Sequence, residues 1–302
     1  MEIITDYQKK INSIITSNLI VNINNKKLKE ICIHSLSGGK RLRSIISLDI
    51  MKNLQKQKKK DLGIEKDLCI IVELFHNACL IIDDLPIMDN DEYRRGKKTV
   101  WYEYGILNAH IITNYILFQC IMKINNIIST LETNKVFNKN EIYNIKHRIF
   151  NNYFKNMEEA AYGQFLDIYP LLNCQYVSGI KIEEKLLRKI ITAKTAPFFE
   201  VAFLLPYLFF DNNINEIRKL KEISLLFGLL YQISDDFEDQ VQDLQKEGSV
   251  IQNYVLVVGK KNAKKHFYLF LDSFKNKIFE LELNSPLIDS ITEYLSKKVE
   301  KY

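Results

Sequence analysis

Glycine and proline are scarce in this chain. Ten of the first and five of the second in 302 residues leave few places where a helix must stop, so long uninterrupted elements are expected. Cysteine is sparse too: Cys32, Cys69, Cys79, Cys120 and Cys174 are odd in number and lack CxxC spacing. That argues against a disulfide framework or a zinc site and fits a reducing compartment. No stretch offers about 20 consecutive apolar residues for a membrane span; Val201 to Phe210 is short and interrupted by Pro206. The opening MEIITDYQKK has neither the apolar core of a signal peptide nor the Arg/Ser bias of a transit peptide. A cytoplasmic protein is the expectation. A strong charge of one sign is also missing, since 42 Lys and Arg oppose 37 Asp and Glu for a net +5. Such a balance suits small anionic ligands and does not call for nucleic acid. Strand-like alternation and internal repeats are absent. With 47% hydrophobic residues the chain can bury one sizeable core, and a single all-α domain over 1–302 is expected, with its site in a central cavity between facing helices.

What the chain does have is an apolar run that ends in acids. Ile81 to Arg95 reads IIDDLPIMDNDEYRR, with Asp83 and Asp84 adjacent and Asp89 after four intervening residues. On an unbroken helix Asp89 would miss the face of the pair, so Pro86 is informative: it ends or kinks the helix and re-aims the third carboxylate. Acids this close repel unless a cation sits among them. Oxygen-only donors suit Mg²⁺, which takes one or two carboxylates plus substrate phosphates. Arg94 and Arg95 then supply guanidinium forks of the kind that grip phosphate oxygens. Taken alone, a solvated acidic turn would explain the stretch as well.

A second cluster weakens that alternative. Tyr231 to Asp239 reads YQISDDFED, another apolar helix closing in acids, and the spacing of Asp235, Asp236 and Asp239 puts all three near one helical face.

The two segments resemble the first and second aspartate-rich motifs of the trans-isoprenyl diphosphate synthases, in the branch with four residues inside the first motif, which includes enzymes of the geranylgeranyl and farnesyl diphosphate type. The likeness runs from about Gly38 to Asp239 and implies an isoprenoid synthase-type helical bundle. It extends to Gly38-Gly39-Lys40-Arg41-Leu42-Arg43, a glycine turn ahead of a helix where basic side chains can converge on an anion. By the resemblance, Lys40 and Arg43 bind the diphosphate of isopentenyl diphosphate, joined by Arg95 and by His76, which lies two helical turns before Asp83. Apart from the resemblance, His76 reads as a satisfied core histidine. Ser44 stands where relatives have Pro, which should alter rigidity more than charge, and Ile82 where many have His. Tyr162 to Asp167 resembles the family's GQxxD segment, which sets Gln164 and Asp167 behind the direct ligands; a polar pair on an exposed face is the other reading. Lys194-Thr195, at the head of an apolar segment, and Gln232 are implied to face the allylic diphosphate. Beyond Asp239 the likeness fades, and Lys246 is the one counterpart to the family's loop lysine.

Helices are expected from about 4 to 20, from about Lys26, from Ile64 into Asp83 and Asp84, over Trp101–Lys123 and Asn140–Leu172, and as a terminal pair broken near Asn284-Ser285-Pro286. The charge run Gln55 to Asp61 is expected to be a solvated loop. The implied mechanism has Mg²⁺ held by Asp83, Asp84, Asp89, Asp235, Asp236 and Asp239 clamping an allylic diphosphate, with Arg94, Lys194 and Lys246 completing the positive cage. Isopentenyl diphosphate attacks the resulting cation. Small residues at Ala78 and Cys79, one turn before Asp83, would let the product reach twenty carbons. The family also implies a homodimer. Three alternatives stand beside this: a class I terpene cyclase, a non-catalytic subunit of a heteromeric synthase, and a plain helical scaffold.

Overall fold

The expected periodicities become helices. The structure, a computed structural model, describes residues 2–18, 23–173, 183–211, 213–245 and 252–302, and the chain divides into two compact units, Glu2–Arg148 and Ile149–Tyr302.

The first unit is built on one helix. Its elements are α1 (Glu2–Asn18), α2 (Lys26–Leu36), α3 (Leu42–Lys58), α4 (Glu65–Asp83), a hairpin of β1 (Tyr93–Arg94) and β2 (Lys97–Lys98), α5 (Val100–Tyr104), α6 (Ile106–Thr133) and α7 (Lys139–Ile149). The sequence of α4, EKDLCIIVELFHNACLIID, is apolar almost all round, and Leu68 to Phe75, Asn77, Ala78 and Ile81 are buried. A helix of that composition belongs inside, and α1, α2, α3 and α6 all pack on it. Its end is set by sequence: α4 stops at Asp83, three residues before Pro86. The chain then doubles back, with the Asp89 N–H donating to the Asp83 carbonyl at 2.9 Å.

The second unit repeats the plan. A π-helical turn (Phe150–Phe154) leads into α8 (Lys155–Asn173), followed by α9 (Glu184–Lys194), α10 (Ala196–Leu208), α11 (Ile214–Glu238), α12 (Gln240–Gln245), α13 (Tyr254–Val258), α14 (Lys260–Glu280) and α15 (Pro286–Glu300). Here α11 is the axis, with α9, α10, α13, α14 and α15 against it. Phe227 of α11 holds a cluster of rings, with centroids 4.8 Å from Phe199, 5.6 Å from Phe203 and 5.3 Å from Phe274, in the tilted and edge-on geometries that ring quadrupoles favour. Gly228 lets α10 come close, since a Cβ there would lie 3.2 Å from the Ala196 Cα. Side-chain N-caps start α2 at Asn25, α11 at Asn213 and α15 at Ser285, each worth about 1 kcal/mol.

Four expectations change. Gln55 to Lys58 form the last turn of α3 and are not loop. The helix expected over Trp101–Lys123 is broken at Gly105, whose φ of 86° suits glycine, and α6 runs ten residues further, to Thr133. The hairpin Tyr93–Lys98 adds a two-residue strand pair to the helices of the described residues. Finally, α6 is long and apolar enough to cross a membrane by length and composition, with an 18-residue window of mean hydropathy 1.3. One side of it, including Ile112, Ile116, Cys120 and Ile124, is buried in this unit. The other exposes Leu107 (73%), Ile111 (51%), Phe118 (64%) and Met122 (53%), which share a helical stripe.

Candidate active site

Both axial helices end in acids, and neither carries a basic residue in its last turn. The C-terminus of a helix is the negative end of its dipole, so carboxylates there are disfavoured unless a cation joins them. Each end therefore attracts positive charge, supplied at α4 by the hairpin that follows it and at α11 by the last helix.

In the first unit, Asp84 caps α4 and is buried, and its carboxylate accepts from Arg94 Nε. Arg94 also donates to Asp91 at 3.1 Å. Burial pushes the Asp84 carboxyl up to about 6, against the pull of Arg94. Asp83 is half-buried and Asp89 exposed. The hairpin that carries Arg94 also delivers Arg95, which donates to the Gly38 carbonyl at 3.2 Å and lies against Gly39. Gly38 and Gly39 take φ of 76° and 94°, a backbone that side chains with a Cβ rarely adopt. Gln8 donates to the Gly39 carbonyl at 2.7 Å, fixing the turn. Arg43, the second residue of α3, donates to His76 Nε2 on α4 at 3.2 Å. The His76 pKa is held well below its usual value by burial first and then by Arg43, Arg95, Arg94 and Arg41. A neutral ring that accepts at Nε2 carries its proton on Nδ1. Lys40 is exposed at the edge of this basic group. So Lys40, Arg43, His76 and Arg95 belong to one unit, with Arg43 on His76 and Arg95 on the glycine turn.

The basic turn rests on a buried network outside the expected set. Arg41, at φ 57°, donates to Glu73 Oε2 at 2.8 Å and to Asn12 Oδ1 at 2.9 Å, and also to the Leu36 carbonyl. Ser44 donates to Glu73 Oε1 at 2.8 Å. Ser44 thus does more than relax the helix start: it adds a donor to a buried carboxylate.

In the second unit, Asp235 and Asp236 lie in the last turns of α11 and Asp239 caps it. Asp236 is buried and turned into protein donors. Its Oδ1 accepts from Gln232 at 2.8 Å and its Oδ2 from the Tyr254 N–H at 2.6 Å, and burial pushes its carboxyl up to about 7. Gln232 in turn accepts from Thr195 Oγ1 at 3.3 Å. Thr195, Gln232 and Asp236 are therefore one chain of contacts, with half-buried Lys194 adjacent. Asp235 and Glu238 are each 2.6 Å from Lys298 Nζ of α15. Asp239 is exposed, with its pKa raised by burial and by its acidic neighbours. Gly163 of the GQ segment is where α8 meets α9: a Cβ there would run into the Ala193 carbonyl and the Lys194 N–H. Gln164 is half-buried. Lys246 and the Asp167 side chain lie outside the described residues.

Glu73, Tyr254 and Lys298 are among the residues of this assembly that escaped the sequence reading. Lys298 left a trace, because it falls on the apolar stripe of α15 with Ile291 and Leu295, and a charge on such a stripe needs a buried partner.

The comparisons with known proteins decide the family. The polyprenyl synthetase family matches residues 25–255. This chain belongs to the polyprenyl synthetase family. It is 27% identical over 240 residues to a trans-prenyltransferase of African swine fever virus, covering 78% of this chain and 65% of the viral protein, so it spans a little under two thirds of that relative. A geranylgeranyl diphosphate synthase of Saccharolobus solfataricus is 26% identical, with 83% of this chain and 67% of that protein covered. A farnesyl diphosphate synthase of Micrococcus luteus is 27% identical, with 91% and 89% covered. Among solved structures, a geranyltransferase from Legionella pneumophila has a TM-score of 0.78 at 20% identity, covering 98% of this chain and 96% of that one. A Helicobacter pylori geranyltransferase complexed with magnesium and isoprenyl diphosphate has a TM-score of 0.72 at 20% identity, with 100% and 98% covered. The fold is the isoprenoid synthase-type helical bundle.

The donor set fits Mg²⁺. Among the described residues no three of His, Cys, Asp or Glu gather into a ready cage, and Mg²⁺ does not need one, since it is held by one or two carboxylates with waters and substrate phosphates. Asp84 and Asp236 are buried against protein donors, whereas Asp83, Asp89, Asp239 and Asp235, the last while held by Lys298, keep exposed surface at the negative ends of α4 and α11.

Proposed function

We propose that this chain is a prenyltransferase that condenses an allylic diphosphate with isopentenyl diphosphate, with Mg²⁺ as cofactor and geranylgeranyl diphosphate as main product. The observation that carries the reading is the basic group on the glycine turn, in which Arg43 sits on a neutral His76 and Arg95 on Gly38-Gly39, in a chain that also carries two acidic helix ends. Ionising one diphosphate calls for the metal that the acids would hold and has no use for a second basic group. A separate basic group implies a second diphosphate substrate, and that favours condensation over a class I cyclase. A non-catalytic subunit would be expected to lose acids from one motif, and both are intact here.

The roles follow from the chemistry of each group. Asp83, Asp89, Asp235 and Asp239 would hold the metal, with Asp84 and Asp236 completing each set while anchored to Arg94 and to Gln232 and Tyr254. When bound, Mg²⁺ neutralises the charge that builds on a departing diphosphate. Lys194, Thr195, Arg94 and Lys246 serve the allylic diphosphate, adding fixed donors where charge develops. Lys40, Arg43, His76 and Arg95 hold isopentenyl diphosphate. The depressed pKa of His76 keeps the ring from adding a further proton-linked charge, so binding there depends on the guanidinium and ammonium groups. The released diphosphate takes the final proton, and no protein base is assigned. The exposed apolar stripe on α6 supports a homodimer, and the free, buried Cys32 and Cys69 suit a cytoplasmic setting.

The test is an incubation of purified protein with Mg²⁺, isopentenyl diphosphate and each allylic diphosphate, with product analysis. Chelation should abolish turnover and Mg²⁺ restore it. Asp83→Ala and Asp235→Ala should each lower turnover by orders of magnitude with helical circular dichroism intact. Undiminished turnover in both variants sinks the reading; a cyclised product made without isopentenyl diphosphate would point to the cyclase.

A further inference from the structure

Among the described residues, Lys298 is the cation paired inside the second acidic cluster that comes from neither motif nor loop. Its side chain is 7% exposed, on α15, which packs on α11 and whose Leu287, Ile288, Ile291 and Leu295 are buried. Its ammonium lies 2.6 Å from Asp235 Oδ1 and 2.6 Å from Glu238 Oε2, with the Tyr294 ring 5.6 Å away. A buried ammonium needs such compensation, and here two carboxylates supply it at hydrogen-bond distance. Asp235 is still 26% exposed, so the same carboxylate that Lys298 holds from inside the bundle is open to solvent on its other side.

We propose that Lys298 is the resident counter-ion of the second acidic motif, positioning Asp235 and competing with a divalent cation for it, so that this lysine sets the metal concentration at which the motif loads. The inference rests on the metal-dependent reading above. Without the lysine, Asp235, Glu238 and Asp239 at the negative end of α11 would form a stronger trap, loaded with metal before any diphosphate arrives. With it, one unit of positive charge is already in place. Metal binding at Asp235 must then be helped by a ligand that brings its own negative charge, which couples loading to substrate. Glu238 gives the lysine a second partner, so the ammonium is not stranded when Asp235 turns to the metal. A wholly structural lysine would tie α15 to α11 but would have no bearing on metal affinity beyond the integrity of the fold.

The experiment measures Mn²⁺ binding to the full chain by electron paramagnetic resonance, with and without inorganic diphosphate, in the wild type and in Lys298→Met, Lys298→Gln, Lys298→Arg and Lys298→Met/Asp235→Asn. The glutamine variant keeps hydrogen-bond donors on a similar stem and guards against a methionine variant that does not fold. Circular dichroism selects the folded variants. Loss of the charge should tighten Mn²⁺ binding without diphosphate roughly tenfold, the size expected of one nearby charge in a partly wet site. The arginine variant should stay near wild type, and the double variant should lose the gain. Wild-type binding that neither neutral variant tightens overturns the role of Lys298 and leaves the metal reading standing. Absence of Mn²⁺ binding from every folded variant, with diphosphate present, overturns both.

Discussion

The Arg41 guanidinium donates to the Glu73 carboxylate at 2.8 Å with both side chains at most 5% exposed. This pair fixes the basic turn that carries Lys40 and Arg43, because Arg41 spans from α1 to α4 while holding its own backbone in the left-handed region. Removing Glu73 would leave a buried guanidinium with its charge uncompensated. Glu73→Ala should therefore cost about 3–5 kcal/mol of unfolding free energy, and Arg41→Met/Glu73→Met much less, since both charges leave together. Urea denaturation of the three proteins checks this. A Glu73→Ala cost below about 1 kcal/mol, the range of an exposed pair, would show that the network is wetter than its burial implies.

His76 makes stability depend on pH in a defined direction. Its folded pKa lies well below its usual value because burial and four arginines oppose its charge, whereas in the unfolded chain it titrates near 6.5. Below about 6.5 the unfolded chain therefore binds a proton that the folded chain refuses. The contribution of the neutral ring is fully present above about pH 6.5 and drains as pH falls towards the folded value. His76→Gln, which keeps an acceptor for Arg43, should lose less stability than wild type between pH 7.5 and pH 5. Parallel losses in denaturation midpoint would mean that His76 charges freely in the folded protein.

What the sequence could reveal of this site was what lies close in the chain. The end of α4 at Asp83 followed from Pro86, the acids were read from spacing, and the basic turn from Gly38-Gly39 beside Lys40 and Arg43. The break at Gly105 was missed because the apolar pattern runs on through it, and a single glycine inside a helical pattern does not by itself announce a turn. Glu73, Tyr254 and Lys298 were missed for another reason. Each acts across a tertiary contact, the last over 63 residues, and Tyr254 serves Asp236 through its backbone N–H, which no side-chain pattern marks. The pairing of Ser44 with Glu73 inverts the sequence argument: a residue that reads as a lost proline is a gained hydroxyl.

Gly163 should be intolerant of any side chain. A Cβ there would strike backbone, the Ala193 carbonyl and the Lys194 N–H, so α8 and α9 would have to part. Gly163→Ala should destabilise the protein by roughly 1–3 kcal/mol, the cost of overpacking, and should raise KM for the allylic diphosphate more than KM for isopentenyl diphosphate, because Lys194 and Thr195 move with α9. Gly228→Ala, whose Cβ would sit 3.2 Å from the Ala196 Cα, should cost less. Thermal denaturation and steady-state kinetics decide it; equal KM changes for both substrates would detach α9 from the allylic side.

Product length is the last prediction, and it turns on two small residues of α4. A hydrocarbon tail growing from a diphosphate held near Asp83 would meet the turn that carries Ala78 and Cys79. Each added isoprene unit buries five carbons, roughly 4 kcal/mol of favourable transfer at about 0.8 kcal/mol per CH₂ where the path is open. A ring at either position should therefore shorten the product from twenty carbons towards fifteen. The structure separates the two substitutions. Ala78 has no exposed surface, so Ala78→Phe must displace packed neighbours and should lower the melting temperature as well as the product length. Cys79 retains some exposure, so Cys79→Phe should shorten the product with a smaller loss of stability. Product analysis by chain length, with thermal denaturation of the same preparations, tests both halves. A native product of fifteen carbons, or an unchanged distribution in both folded variants, would place the floor of the pocket on another helix.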